Sequence, residues 1–489
     1  MNPQQHETPF LSNLIKARDA HEYSFHMPGH KFLPGHHPLM TALAGDLIFE
    51  ADMNEISPGV DYLHAAKGAL REAQRLQAEA VGADHSFFLI NGSTVGNEAS
   101  MLAAVHDGET VIVPRAAHRS VYGGLILSGA NPVYVPPVSH PQVEFPLAVA
   151  VDTVADLLRQ HPEAKAIQIT SPNYYGYLSD VGGLARLAHD HGIPLLVDEA
   201  HGAHLPFHPD LPPSAIQVGA DLVVQSSHKT LGALTQAALL HLNGSLIAVS
   251  GVERILSLMQ SSSPSSLLTA SLDAARQQMA TEGHALLTET IRLAAYAREG
   301  IRAIPGLWCY GDELVGEYGV FAHDPTKLVI RVTDTGMNGH TFATHLAEEH
   351  NLFGEFVDPK HIICSITIAD DEARVDYLLN ALHTVAAQGK PTTTENTLPS
   401  LAAPALPQMV MNPRQANFAA SRRMPFSQAV GQICAEQIMP YPPGIPMLLP
   451  GERIDADMVD YLRYVKANGV AIVGPEDTSL EYVRVIGGE

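Results

Sequence analysis

The segment ADLVVQSSHKTLGALTQ (residues 220–236) runs an apolar stretch into Ser226, Ser227, His228 and Lys229. Hydroxyls and an imidazole beside a lysine suit a Schiff base formed next to a phosphate. The hydroxyls and ring bond phosphate oxygens, while an amine of lowered pKa attacks an aldehyde. So short a string is equally compatible with a solvated lysine opening a surface loop.

A second strand-like run, IPLLVDEAHG (193–202), delivers Asp198 at its end. A carboxylate there can keep a pyridine nitrogen protonated and make the ring an electron sink. A helix cap, or a metal site using the neighbouring Glu199, His201 and His204, is the alternative, but the tail has no recognised ligand spacing. A third segment, FFLINGSTVGNEASMLAA (87–104), places Ser93, Thr94 and Val95 on a small-residue turn opening a helix. Backbone N–H groups at such a start cradle phosphate, although small residues are also ordinary turn chemistry. In VIVPRAAHRSVYGG (111–124), His118 follows a strand and could stack on a ring face or contact a substrate carboxylate.

The four signals in order are a phosphate turn, a stacking histidine, an acidic strand end and a lysine. Together they describe a pyridoxal-phosphate site far more specifically than any one alone. The 31 residues from Asp198 to Lys229 leave room for one helix and one strand, the connection a βαβ unit needs to bring both residues to one sheet edge.

The elements that must position these residues follow from periodicity. Helices are expected over Thr8–Ala20, Ala65–Val81 (ending at Gly82) and residues 270–305. Between them, apolar runs alternate with helical stretches: SFFLI, TVIVP, NPVYVPP, AKAIQIT, IPLLVDEA and ADLVVQ. This pattern predicts an α/β fold with a mostly parallel sheet covered on both faces, its site at the strand ends.

The chain has 489 residues, more than one core usually holds. Its expected divisions are an N-terminal segment (1–50), a large cofactor domain (51–305), a small α/β domain (306–387), a Pro/Thr/Ser-rich linker (388–415) and a C-terminal domain (416–489). A formal charge of -23 argues against nucleic acid or anionic membrane as a partner. Three dispersed cysteines, no signal-peptide pattern and no apolar span of about 20 residues point to a reduced, cytoplasmic protein without disulfides.

With these residues in place, the sequence resembles the bacterial ornithine/lysine/arginine decarboxylase family of fold type I pyridoxal-phosphate enzymes. The resemblance runs over nearly the whole chain, through HMPGHK, DYLHAAKGALREAQ, GADHSFFLINGSTVGN, HRSVYGGLILSGA, LVDEAHGAH, SSHKTLGALTQ, SSSPSSLLTASLDAAR and MPYPPGIPMLLPGE. The chain looks like the shorter members, related to biosynthetic arginine decarboxylase, and is expected to lack room for the N-terminal wing domain of the large members. It implies an aspartate-aminotransferase-like large domain with small α+β C-terminal domains. It also implies a homodimer or higher homo-oligomer with the active site at the subunit interface.

The resemblance assigns cofactor attachment to Lys229, the pyridine nitrogen to Asp198 and ring stacking to His118. Phosphate binding falls to Ser93, Thr94, Ser226 and His228, with Val95 and His201 lining the cofactor. Ser261–Ser266 matches a Thr/Ser-rich stretch near the cofactor in relatives. The implied reaction removes carbon dioxide from a basic amino acid, most simply arginine in polyamine biosynthesis, and His228 or Lys229 returns a proton to Cα. A distal cation needs an acidic partner, for which Glu436 is the first candidate and Asp61 the second. Lysine and ornithine are alternative substrates. Rival readings are another fold type I reaction (an aminotransferase with Arg331 as a carboxylate clamp, an aldolase, or a Cys desulfurase, against which Cys364 reads as buried strand) and a catalytically dead regulatory paralogue.

Overall fold

Short buried strands that feed directly into helices organise the chain, seen in a computed structural model. The structure describes all residues except 1, 21–22, 34–36, 139, 141–142, 144, 390–403, 442–444, 468 and 488–489. Half of the expected Pro/Thr/Ser-rich linker, part of the HMPGHKFLPGHHP loop, and Pro442 to Gly444 of the YPPGIP element therefore lie outside the described residues.

In chain order the elements that matter here begin with α1 (Pro9–Asp19), α2 (Ala69–Val81), β1 (His85–Leu89) and α3 (Gly92–Ala104). They continue with β2 (Thr110–Pro114), α4 (Arg119–Ser128), β3 (Asn131–Val135), β4 (Ala166–Thr170) and α5 (Val181–Asp190). Next come β5 (Leu195–Asp198), β6 (Leu222–Gln225), β7 (Ala238–Leu242), α6 (Val249–Met259) and the long α7 (Ser266–Arg302). Then follow β8 (Trp308–Tyr310), β9 (Lys327–Arg331), β10 (Phe356–Val357) and β11 (His361–Ser365). The C-terminal part has β12 (Ser421–Pro425), β13 (Met439–Tyr441), α8 (Ala456–Ala467), β14 (Ala471–Val473) and β15 (Tyr482–Ile486).

The chain divides into two compact units. One comprises residues 1–104 and 181–289, the other residues 105–180 and 290–489. In the first, β5 and β6 pair in parallel, with Asp198 opposite Val224. Strand β7 then pairs antiparallel with both β6 and β1. Every residue of LLVD in β5 and LVVQ in β6 is buried, as strands covered on both faces require. Helix α3 crosses this sheet closely. A Cβ on Gly96 would stand 2.6 Å from Val224 Cγ1 and 2.9 Å from Leu89 Cδ1.

In the second unit, β4, β2 and β3 form parallel neighbours, and β10, β11, β9 and β8 form an antiparallel sheet. The C-terminal segment adds two antiparallel pairs, β12 with β15 and β13 with β14. It packs its own core of Phe426, Cys434, Ile438, Leu448, Leu462 and Val485.

Two helices depart from the periodicity by several residues. Helix α2 starts at Ala69, not Ala65, because residues 63–65 form a 3-10 turn. Its first N–H groups bond to a side chain from upstream: Gly68 and Leu70 both donate to Asp61 Oδ2, at 2.9 and 2.8 Å. It ends as expected at Gly82, whose φ of 81° is the left-handed cap that glycine accepts at little cost. Helix α7 covers residues 266–302 instead of 270–305. Its start lies just past Pro264, with the Thr269 N–H bonded to Ser265 O, and Ile304 already bonds back to Ile301.

Candidate active site

Strand β5 ends at Asp198, and β6 ends one residue before Ser226. Their parallel register brings the two C-terminal ends side by side in the first unit. Asp198 is 3% exposed. Its Oδ2 accepts a 2.8 Å hydrogen bond from Asn97 Nδ2, and its Oδ1 accepts from the Ala200 N–H at 3.1 Å. Asn97 sits one turn beyond Thr94 on α3, so the helix carrying the expected phosphate turn also fixes the carboxylate.

After β6 the chain makes a single helical turn, Ser227–Thr230. Lys229 is exposed, and its Nζ lies 3.1 Å from His201 Nε2. The lysine and the buried histidine two residues past Glu199 thus meet. His228 Nδ1 lies 2.9 Å from the Ala237 carbonyl. A carbonyl only accepts, so Nδ1 carries the hydrogen and the Nε2 lone pair is left for another partner.

The hydroxyls of Ser226, Ser227 and Thr230 are buried with no hydrogen-bond partner among the described residues. Three orphaned donors around an accessible amine are costly unless an acceptor-rich group reaches them. A phosphate ester is such a group, so this chemistry fits pyridoxal phosphate. On α3, Ser93 is half-buried, Thr94 exposed and Val95 buried in the first turn, while the Gly92 N–H bonds to Gln236 O at 2.9 Å.

Beneath these residues runs a buried polar chain that sequence reasoning did not find. Ser86 Oγ lies 2.7 Å from His241 Nδ1, and His241 Nε2 lies 3.0 Å from Gln225 Oε1. Gln225 Nε2 donates to Glu199 Oε2 at 2.6 Å, and Ser214 Oγ and the Ala215 N–H donate to the same carboxylate. Because Gln225 Oε1 only accepts, His241 donates through Nε2 and receives the Ser86 hydroxyl at Nδ1. Burial pushes the Glu199 carboxyl up to about 7 despite its three donors, and pushes the His241 imidazole down to about 3. Glu199 therefore serves this chain and not Asp198's partners. Among the described residues, no group of three or more His, Cys, Asp or Glu is arranged to hold a metal ion.

His118 lies in the second unit, as the N-cap of α4. Its half-buried ring is 2.7 Å from Ser120 Oγ through Nδ1, which also accepts the Ser120 N–H at 3.3 Å. Glu436, in that same unit, accepts the Glu476 and Arg484 backbone N–H groups at 2.7 Å each. Asp61, in the first unit, holds the start of α2. Each candidate for the distal cation thus already anchors backbone. Arg331 pairs with Asp334 at 2.7 Å. Burial pushes the Cys364 thiol up to about 12, which suits packing better than nucleophilic attack. The segment from Ser261 to Ser265 precedes α7, and Ser266 Oγ donates to Ala51 O at 3.2 Å.

A signal for Asn97 existed in its place one helical turn after Thr94. Gln225 and His241 gave none, because a polar residue inside an apolar strand is indistinguishable by type from an edge position.

Comparison with known proteins gives a consistent picture. The model of the Orn/Lys/Arg decarboxylase major domain matches residues 8–374, and that of the Orn/Lys/Arg decarboxylase C-terminal domain matches residues 396–474. An arginine decarboxylase of Bacillus anthracis is 38% identical over 482 residues, covering 99% of this chain and 98% of the relative. One from Bacillus subtilis (strain 168) is 37% identical over 486 residues, with the same coverage of 99% and 98%. Among solved structures, the Francisella novicida lysine decarboxylase LdcF superposes with a TM-score of 0.82 at 21% identity, covering 98% of this chain and 81% of that one. The constitutive lysine decarboxylase of Escherichia coli gives 0.83 at 21%, covering 99% and 82%. At that identity the structural likeness establishes the fold.

Proposed function

Since the chain belongs to the Orn/Lys/Arg decarboxylase family, we propose that it is a pyridoxal-phosphate enzyme converting L-arginine to agmatine and carbon dioxide. The observation that carries this reading is the meeting of Asp198, held by Asn97, with the Ser226–Thr230 turn at neighbouring strand ends. When bound, the cofactor supplies a cationic ring into which the electrons of the broken Cα–carboxylate bond can spread.

The chain's own residues do the rest. Lys229 supplies the amine that attaches the cofactor, with His201 beside it as proton partner. Asp198 would hold the pyridine nitrogen protonated, its carboxylate fixed by the 2.8 Å hydrogen bond from Asn97. Ser226, Ser227, Thr230 and the first-turn N–H groups of α3, at Ser93, Thr94 and Val95, receive the phosphate. By the family resemblance, His118 would stack on the ring. His228, protonating through Nε2, or Lys229 delivers to Cα the proton that replaces carbon dioxide. Glu436, then Asp61, takes the distal cation through the lone pairs left after its backbone bonds. We extend the proposal to the expected segment boundaries, a homo-oligomeric site and a cytoplasmic location. In support of a non-membrane location, no helix among the described residues is long and apolar enough to cross a membrane.

Arginine is preferred because the relatives at 37–38% identity carry that name over full length, while the lysine decarboxylase LdcA of Pseudomonas aeruginosa is 24% identical. The test is an assay with pyridoxal phosphate and arginine, lysine, ornithine or 2,6-diaminopimelate, identifying each amine product. Agmatine should dominate. Cadaverine or putrescine as main product would move the substrate, and keto-acid-dependent turnover without carbon dioxide would replace decarboxylation by transamination.

A further inference from the structure

The C-terminal element MLLPGE is not used by any step above, yet its last residue is a fully buried carboxylate. Glu452 is 0% exposed and grips Arg115, 2% exposed, through both carboxylate oxygens. Oε1 pairs with Nη1, and Oε2 with Nη2 at 2.9 Å. Arg115 also donates to the carbonyls of Pro446 and Met447, at 3.0 and 2.9 Å, so the element wraps the guanidinium.

Every component of this clasp is itself fixed. The Leu449 N–H donates to Glu452 Oε2 at 2.8 Å, closing a tight turn on the carboxylate. Gly451 makes that turn with φ +95°, and a Cβ there would fall 2.1 Å from Met411 O. On the other side, the Arg115 N–H donates to Val135 O at 2.9 Å, and its carbonyl accepts the Tyr122 hydroxyl at 2.5 Å. The guanidinium lies 4.9 Å from the Tyr134 ring centroid. Arg115 is thus pinned at N–H, carbonyl and side chain at the end of β2. Three residues later, past the buried Ala117, His118 caps α4.

We propose that Arg115 and Glu452 are positioning residues, through which the C-terminal segment sets where the His118 ring stands. This rests on the reading of His118 as the residue that covers the cofactor. A short, over-determined tether of three residues transmits displacement of the arginine to the imidazole with little loss. A buried bidentate pair that loses one charge cannot relax into water, so Glu452→Gln moves the tether.

The test uses full-length, cofactor-loaded Glu452→Gln, His118→Ala and the double variant, with Asn412→Ala as control. Asn412 ties the same C-terminal segment to Gly129 O, at 2.7 Å, at the far end of α4. Glu452→Gln should lower kcat by about 10²-fold, the order expected when a reacting group is misplaced by about 1 Å. It should also change the visible circular dichroism of the bound cofactor and weaken its binding. The double variant should be no worse than His118→Ala, since both act through one ring. Asn412→Ala should lower Tm while leaving kcat and the dichroism unchanged. Should Glu452→Gln fold poorly, Arg115→Lys, which keeps the charge but not the fork, should give the same signature more mildly.

The proposal is overturned if Glu452→Gln lowers only Tm, if the losses of the two single variants multiply, or if Asn412→Ala matches Glu452→Gln. If His118→Ala alone leaves dichroism and kcat untouched, the reading of His118 is what fails.

Discussion

Asn97 on α3 and Asp198 at the end of β5 are joined by a 2.8 Å hydrogen bond between two buried side chains. The helix whose first turn would hold a phosphate thereby also aims the carboxylate that would hold a ring nitrogen. Asn97→Ala leaves a buried carboxylate oxygen short of a donor, at an expected cost of about 1–3 kcal/mol in stability. It should also weaken cofactor binding. Urea unfolding and titration of the cofactor-free protein read these two effects, and a variant unchanged in both would remove Asn97 from the site.

The close seating of α3 on β6 gives a second expectation. Gly96→Ala places a methyl 2.6 Å from Val224 Cγ1, so helix or strand must shift. Overpacking of this kind costs about 1–3 kcal/mol. Because Ser93, Thr94 and Asn97 ride on the same helix, affinity for the cofactor should fall with Tm. Loss of Tm at unchanged affinity would mean that α3 is not part of the cradle.

Glu199 and His241 have opposite linkage to pH. Glu199, raised to about 7, still holds its proton in the folded state after the unfolded chain has lost its own above 4.5. Its contribution therefore falls as pH rises from 4.5 to 7. His241, lowered to about 3, stays neutral where the unfolded residue, at 6.5, is protonated. Its contribution grows as pH rises from 3 to 6.5. Between 4.5 and 6.5 the two slopes oppose each other. Glu199→Gln should make stability climb more steeply with pH in that window, and His241→Gln should tilt it the other way. Urea midpoints at four or five pH values decide this, and identical slopes in all three proteins would contradict it.

What could be read in the sequence was whatever sits at a strand end. Asp198, Ser226 and the turn at Gly92 were legible because an apolar run stops at or one residue before each, where polar or small residues begin. The boundary of α2 was misread because its start depends on Asp61, a residue eight positions before Ala69 and outside the periodic pattern. The Ser86–His241–Gln225–Glu199 chain was invisible for a different reason. It exists only once the antiparallel register sets His241 opposite both Ser86 and Val223, and a single sequence carries no register. The clasp of Arg115 and Glu452 joins residues more than 300 positions apart, beyond any local signal.

The central claim is that one lysine side chain carries the cofactor. The most direct measurement is borohydride reduction of the pyridoxal-phosphate-loaded protein, followed by peptide mapping by mass spectrometry. A phosphopyridoxyl group should appear on Lys229 alone, and Lys229→Ala should lose both the modification and agmatine formation. A modified lysine elsewhere, or full agmatine production by Lys229→Ala, would contradict the account.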